Sequence, residues 1–271
     1  MIPELFRIGP LSISPFGVML VAAFLAAYWQ LARGMRTLGI GDADAASSIV
    51  VAGGLGGILG AKIYYAILNW DWRLLLERYG LVWYGGFLVG TAAILWTMRR
   101  RRLPLWPTLD AATPALALGY GVGRVGCFLV GDDYGVPTKL PWGVAFEHGL
   151  PPTTAWHLRR EFGIAIPENV PGSELLRVHP TQLYETAAAL AIWGVGLVLL
   201  RRRPRPAGVA LPIFALLAVE RFAIELLRAK DDRYLGPLTV AQAISLGVLL
   251  VVALIAVRRR PAEPVAAAGT V

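Results

Sequence analysis

The sequence predicts an all-α integral membrane protein of seven transmembrane helices, with a small extracytoplasmic cap between the fourth and the fifth. Three observations carry this. Of the 271 residues, 56% are hydrophobic and 16% charged, and the mean hydropathy is +0.57, too apolar a balance for a soluble domain. A crossing helix takes roughly 20 mostly apolar residues, and seven windows qualify: 11–32, 47–68, 81–98, 109–130, 183–200, 207–227 and 239–257. Arginines gather after the odd-numbered windows: Arg33 and Arg36, Arg99 to Arg102, Arg201 to Arg203 with Arg205, and Arg258 to Arg260. Positive charge marks cytoplasmic ends. The N-terminus is therefore expected outside the cell membrane and the C-terminus inside.

The same placement accounts for the net charge of +8 without nucleic acid, because the basic residues lie at helix ends rather than on a soluble face interleaved with aromatics. The single cysteine, Cys127, excludes an intrachain disulfide and a cysteine-based zinc cluster.

Taken in order, the first window follows Met-Ile-Pro-Glu-Leu-Phe-Arg, which lacks a clustered basic region, so it is expected to stay as the first helix rather than be cleaved. The second carries Gly53-x-x-x-Gly57 and Gly56-x-x-x-Gly60, the spacing that lets helix backbones approach closely. The third opens on Trp83-Tyr84-Gly85-Gly86 at its outer end. The fourth holds Gly119-x-x-x-Gly123 and then Arg124, a permanent charge in an apolar stretch. Such a group costs roughly 3 kcal/mol or more unless a partner, cavity or anion compensates it.

Residues 131–182 form a long outer connection, rich in Pro and Gly, with Trp142, Phe146, Trp156 and Phe162 interspersed. A loop of that length is functional or disordered, and its aromatics suggest a folded cap at the interface. His179-Pro180-Thr181-Gln182-Leu183-Tyr184-Glu185 leads into the fifth helix, and Glu220-Arg221 through Arg228 ends the sixth. The domain reading is one membrane domain over 1–257, including the 131–182 connection, then a disordered cytoplasmic tail over 258–271.

Four polar segments thus lie toward one membrane face: Arg124 with Asp132 and Asp133, Tyr84 with its glycines, His179 to Glu185, and Glu220 to Arg228. Arg221, Glu225 and Arg228 are spaced i, i+4, i+7, on one helical face with one carboxylate between two cations. With Arg124 added, the cluster has cationic capacity to spare unless Glu185 joins it. Arginine forks match phosphate oxygens, and a phospholipid headgroup is the anion at this depth. Each residue also has a plainer reading. Arg228 snorkels, Arg221 pairs with Glu225, His179 is a helix-start residue, Tyr184 and Trp83 belong to an interfacial belt, Asp132 and Asp133 shape a turn, and Cys127 packs.

Five ordered segments resemble one family: Gly-Arg-Val-Gly-Cys-Phe-Leu-Val-Gly-Asp-Asp-Tyr-Gly-Val-Pro-Thr (123–138), Leu-Pro-Trp-Gly-Val-Ala-Phe (140–146), 179–185, 220–228 and Leu-Thr-Val-Ala-Gln-Ala-Ile-Ser (238–245). They are similar to those of the bacterial phosphatidylglycerol:prolipoprotein diacylglyceryl transferases, and the resemblance runs from Ile8-Gly9-Pro10 to the seventh helix. It implies a multi-pass inner-membrane enzyme, without metal or organic cofactor, that moves the diacylglyceryl group of phosphatidylglycerol onto the lipobox cysteine of a preprolipoprotein signal peptide. Glycerol phosphate leaves. Its partners would be those two substrates and membrane lipids, and it would work as a monomer.

By motif position, Arg124 matches the signature arginine, with Gly131 or Gly135 in its glycine-bearing turn. Arg221, Glu225 and Arg228 match the sixth-helix set, and His179, Gln182 and Glu185 the start of the fifth. Arg124, Arg221, Glu225, Tyr84 and Glu185 are the expected catalytic residues. Arg124, Arg228, Gly85, Gly86, Gly131, His179 and Gln182 are the expected phosphatidylglycerol contacts. Glu225, Glu185 or Tyr84 would take the thiol proton, while Arg124 and Arg221 steady the leaving phosphate.

Three positions depart from the family pattern: Phe16-Gly17 replaces a Tyr-Gly pair, Tyr84-Gly85-Gly86 replaces His-Gly-Gly, and Cys127 replaces an asparagine. They leave open a divergent paralogue with another acceptor. A phospholipid- or anion-binding transporter is the non-enzymatic alternative, although the sequence lacks the paired broken helices of many transporters.

Overall fold

The computed structural model describes residues 5–8, 11–75, 82–202, 205–229 and 238–259. The chain starts with a hairpin, β1 (Phe6–Ile8) antiparallel to β2 (Leu11–Ile13), in which Phe6 pairs with Ile13. Helices follow: α1 (Pro15–Leu38), α2 (Ala43–Asn69), α3 (Trp83–Arg100), α4 (Leu105–Val130), the short α5 (Ala155–Arg160), α6 (Thr181–Arg201), α7 (Ala210–Ile224) and α8 (Val240–Arg258). Every apolar window of the sequence therefore contains a long helix. Five of these, α1, α2, α4, α6 and α8, have the length and apolarity to cross a membrane. The other two fall short for visible reasons: α3 ends on Arg99 and Arg100, and α7 has 15 residues with Glu220 and Arg221 inside it. The tail from Arg260 onward, Arg203 and the side chain of Trp83 lie outside the described residues.

Local chemistry sets the helix starts. Ser14 Oγ accepts from the Gly17 N–H at 3.1 Å, with Pro15 at the first helical position, so α1 begins where a cap and a preset φ coincide. Residues 11–13, apolar enough to be read as helix, go into β2 instead. Asp42 caps α2 through the Ala45 N–H at 2.9 Å, and Thr239 with Gln242 forms a reciprocal capping box on α8. The start of α7 has no cap of its own. Asp110 of α4 supplies one from across the bundle, accepting from the N–H groups of Ala207, Val209 and Ala210 at 2.7, 3.0 and 2.7 Å.

The closest helix pairs are α1 with α4, α2 with α3, α4 with α6, and α7 with α8. Between α2 and α3 the backbones touch: a Cβ on Gly60 would lie 2.3 Å from the Gly85 carbonyl, and one on Gly85 equally close to the Gly60 carbonyl. The buried apolar core lies toward the arginine-rich helix ends. Leu31, Met35, Ile49, Met98 and Ala111 pack together there, beside Ala117, Leu200, Val209 and Ile213. The outer surface is studded with Leu25, Leu55, Leu88, Leu250 and Val251, all exposed. Such a surface suits hydrocarbon rather than water.

The connection from α4 to α6 folds on its own small core of Tyr134, Phe146, Leu158 and Val178, with Ala229 against it. Tyr134 stacks on Phe146 with ring centroids 5.5 Å apart, and Phe162 meets Tyr134 edge-on at 5.8 Å. Trp142 and Trp156 are exposed.

Candidate active site

Opposite the apolar core, the ends of α4 and α7 and the start of α6 bring their charges together. Arg124, in the last two turns of α4, is 8% exposed. Its Nε donates to Glu185 Oε2 at 2.7 Å, and its Nη2 contacts the same oxygen. Its Nη1 reaches Asp133 Oδ2 at 3.0 Å and Cys127 Sγ at 3.3 Å. Tyr120, one turn earlier on the same face, donates its hydroxyl to Glu185 Oε1 at 2.7 Å. Glu185 itself is 1% exposed.

Asp133 links this group to α7. Its Oδ1 accepts from Arg228 Nη2 at 2.5 Å. Arg228 Nε lies 3.9 Å from Glu225 Oε2, and that oxygen is 2.5 Å from Arg221 Nη1. The result is one chain of alternating sign: Glu185, Arg124, Asp133, Arg228, Glu225, Arg221. Three carboxylates match three guanidiniums. The spare positive charge expected from the sequence is therefore absent from this set, because Glu185 and Asp133 both join it. Snorkelling does not describe Arg228, whose side chain is 9% exposed and ion-paired.

The turn after α4 that carries Asp133 is tightly held. Gly131 ends α4 at φ 72°, where a Cβ would also meet Phe146 at 2.8 Å, so the position requires glycine. Asp133 adopts φ 56°. Gln182, fully buried, donates to the Asp132 carbonyl at 2.5 Å, and Thr181 donates to the Asp133 carbonyl at 2.9 Å. Gly135 donates to the His179 carbonyl at 2.8 Å and Val136 to the Leu227 carbonyl at 2.8 Å. The start of α6 and the end of α7 thus clasp the turn between them. His179 Nδ1 lies 3.2 Å from the Tyr184 hydroxyl, which accepts from Trp142 Nε1 at 2.7 Å.

Of the two aspartates, burial, and then the neighbouring Asp133, push the Asp132 carboxyl up to about 6. Burial opposes ionisation of Asp133 as well, but Arg228 and Arg124 outweigh it and hold that carboxyl below its usual range. Cys127 Sγ and the two carboxylates lie within 4.8 Å of one another, a cation-sized cluster. The arginines that contact it make the environment unfavourable for a metal ion.

The sequence places Arg124, Glu185, Gln182, His179, Gly131, Arg221, Glu225 and Arg228 at one site, and the structure brings the elements that carry them together. Gly85 and Gly86 face α2 instead: a Cβ on Gly86 would lie 2.9 Å from the Gly57 carbonyl. Tyr84 stands at the start of α3, 44% exposed, on a helix whose closest neighbour is α2. The sequence groups Asp133 with Arg124 but gives it only the part of a turn residue, and Tyr120 is not among the expected site residues. Tyr120 had a readable signal, lying four residues before Arg124. Asp133 did not, because its part depends on a left-handed turn.

The class is that of a polytopic helical membrane protein with a buried arginine–carboxylate chain at one end of its bundle. A family model described as prolipoprotein diacylglyceryl transferase matches residues 3–258, and the chain belongs to that family. Proteins named phosphatidylglycerol–prolipoprotein diacylglyceryl transferase are similar along most of its length. That of Xanthomonas campestris is 34% identical, covering 98% of this chain and 96% of its own. The Synechococcus elongatus protein is 32% identical, covering 90% and 82%, and the Geobacter sulfurreducens protein 30% identical, covering 92% and 91%.

Proposed function

We propose that the protein transfers the diacylglyceryl group of phosphatidylglycerol to the lipobox cysteine thiol of preprolipoproteins and releases glycerol phosphate. The observation that carries this is Arg124, buried beside Cys127 and joined through Asp133 to Arg228, in a chain that belongs to the transferase family. Beside it, Gly123 would leave an added Cβ with nothing within 4 Å among the described residues, whereas Gly119 and Gly126 pack on α1. That open side suits a headgroup.

In the reaction the thiolate sulfur attacks the glyceryl carbon that bears the phosphate. A C–S bond forms, the C–O bond breaks, and its electron pair leaves on glycerol phosphate. The task of the protein is to hold charge on the leaving oxygens and to take the thiol proton. Arg124 and Arg228, both contacting Asp133, serve the first, with Arg221 behind them. Glu225 would serve the second: among the described residues its Oε1 is buried without a hydrogen-bond partner. Glu185 is engaged on both oxygens. His179 and Gln182 would hold the turn and the acceptor side.

The matching topology is seven spans in the bacterial inner membrane, with the N-terminus and the 131–182 segment outside and the C-terminus inside. Arginine placement supports it, and the two short helices α3 and α7 would complete the seven. The test is thioether formation from phosphatidylglycerol and a lipobox peptide, read by mass spectrometry. Arg124→Lys and Arg221→Lys keep charge but lose the fork and are expected to lose most product. Full product in both, or none from the unaltered chain under lipid-saturating conditions, would overturn the assignment.

A further inference from the structure

We propose that the protein carries a second lipid site, for one anionic phospholipid, at the end of the bundle away from Arg124. A cavity of about 420 Å³ opens between the start of α2 and the end of α3, lined by Ser48, Val51, Ala52, Trp96, Arg100 and Arg101 among others. Two guanidiniums are set in place at its rim. Arg101 donates from Nη1 to Asp44 at 2.7 Å and from Nη2 to Ser48 Oγ at 2.5 Å, and Arg100 lies over the Trp96 ring, 4.8 Å from its centroid. Asp44 is one carboxylate against the four arginines Arg99 to Arg102, and Asp42 is engaged as a helix cap. The rim is left cationic. It therefore favours a phosphate group.

The shape selects an amphiphile. A second cavity, of about 410 Å³, lies between α1 and α2, lined by Phe24, Leu25, Tyr28, Gly54, Leu55 and Ile58, and Val51 borders both cavities. The apolar groove follows α2 from Ser47 to Ile58, about 16 Å of helix at the usual rise. A charged rim continuing into such a groove matches a phosphodiester with an acyl chain. A free phosphate would use the rim alone. Basic pockets between membrane helices favour anionic headgroups for the same reason. The site is separate from the transferase cluster, since Arg124 lies about 28 Å along α4 from Leu105 by helix rise.

The test uses the full chain, delipidated in an uncharged detergent, with phosphatidylglycerol and phosphatidylcholine in competition and bound lipid counted by native mass spectrometry. The unaltered chain is expected to retain one more phosphatidylglycerol than Arg100→Gln/Arg101→Gln, whose affinity for that lipid falls about 30-fold. Ala52→Phe, which fills the first cavity without touching charge, is expected to lose the same lipid. Unchanged retention in the double variant overturns the proposal, as does equal retention of phosphatidylcholine. Displacement by inorganic phosphate alone, with Ala52→Phe silent, reduces the site to a plain anion site and overturns its lipid character. Arg100→Lys/Arg101→Lys, of unchanged helical circular dichroism, is expected to recover part of the binding. The readout is retained lipid rather than thioether, so it stands or falls apart from the transferase assignment.

Discussion

Replacing Asp133 with asparagine is expected to tighten the binding of a phosphate-bearing ligand. Asp133 contacts Arg124 at 3.0 Å and Arg228 at 2.5 Å, so its carboxylate engages both arginines, as a phosphate would. Two unit charges about 4 Å apart interact by roughly 4 kcal/mol at an effective dielectric near 20. The Asp133 side chain is 43% exposed, which lowers its hold on the two arginines to about 1–2 kcal/mol in total. A ligand that must displace it gains that amount when the charge is gone, about tenfold in affinity. The folded state is expected to lose only about 1 kcal/mol, because Arg124 keeps Glu185 and Arg228 keeps Glu225. The assay is calorimetric titration of glycerol phosphate into both proteins, at a pH well above the Asp132 value of about 6. Weaker binding by Asp133→Asn would refute the reasoning and make Asp133 a brace that aims the arginines rather than a competitor for them.

Asp110→Ala is expected to destabilise the fold by about 2–4 kcal/mol, because three buried N–H groups lose their acceptor; a thermal melt in detergent checks it, and Asp110→Asn should recover part. Gly85→Ala is expected to cost about 1–3 kcal/mol and to loosen α3 from α2, since its Cβ would stand 2.3 Å from the Gly60 carbonyl; cross-linking of cysteines placed across that interface reads the change. For Asp132 burial pushes the folded carboxyl up to about 6, above its ordinary value of 3.8. Its contribution to stability is present below the lower value and lost as pH rises through the upper one, about 3 kcal/mol in all. Asp132→Asn is expected to flatten that part of the melting-temperature profile, and an unchanged profile would exclude Asp132 as its source.

The helices were legible because apolar runs of sufficient length leave few alternatives. What escaped were boundaries and partners. Leu11 to Ile13 is apolar in either state, so only Ser14 and Pro15 marked where α1 begins, and those cap signals override the run. Gly85 and Gly86 resembled ligand-approach glycines, yet they serve the approach of α2, which a reading of α3 alone does not reveal. The charge balance failed for a similar reason. Spacing along α7 gave Arg221, Glu225 and Arg228 as a set, whereas Asp133 enters from a turn whose φ of 56° brings its carboxylate between Arg124 and Arg228.

That balance bears on how an anionic lipid would be accepted at all. A buried guanidinium is tolerated when a carboxylate faces it, and each carboxylate in this chain faces an arginine carried by a different segment or turn or by the same helix one turn away. Removing one cation leaves a buried anion, which costs more than the pair contributed, so alanine variants at Arg124 or Arg221 report folding and chemistry together. An incoming phosphate adds negative charge to a neutral set and must displace a carboxylate or bring a proton with it. Glu185 is held by Arg124 and Tyr120 in the interior, and Glu225 is 5% exposed. Asp133 is the exposed carboxylate of the three and lies on the turn that α6 and α7 clasp. On the proposed function, the point of exchange would be this turn, and the residues that fix its shape, Gly131, Thr181 and Gln182, would govern headgroup binding.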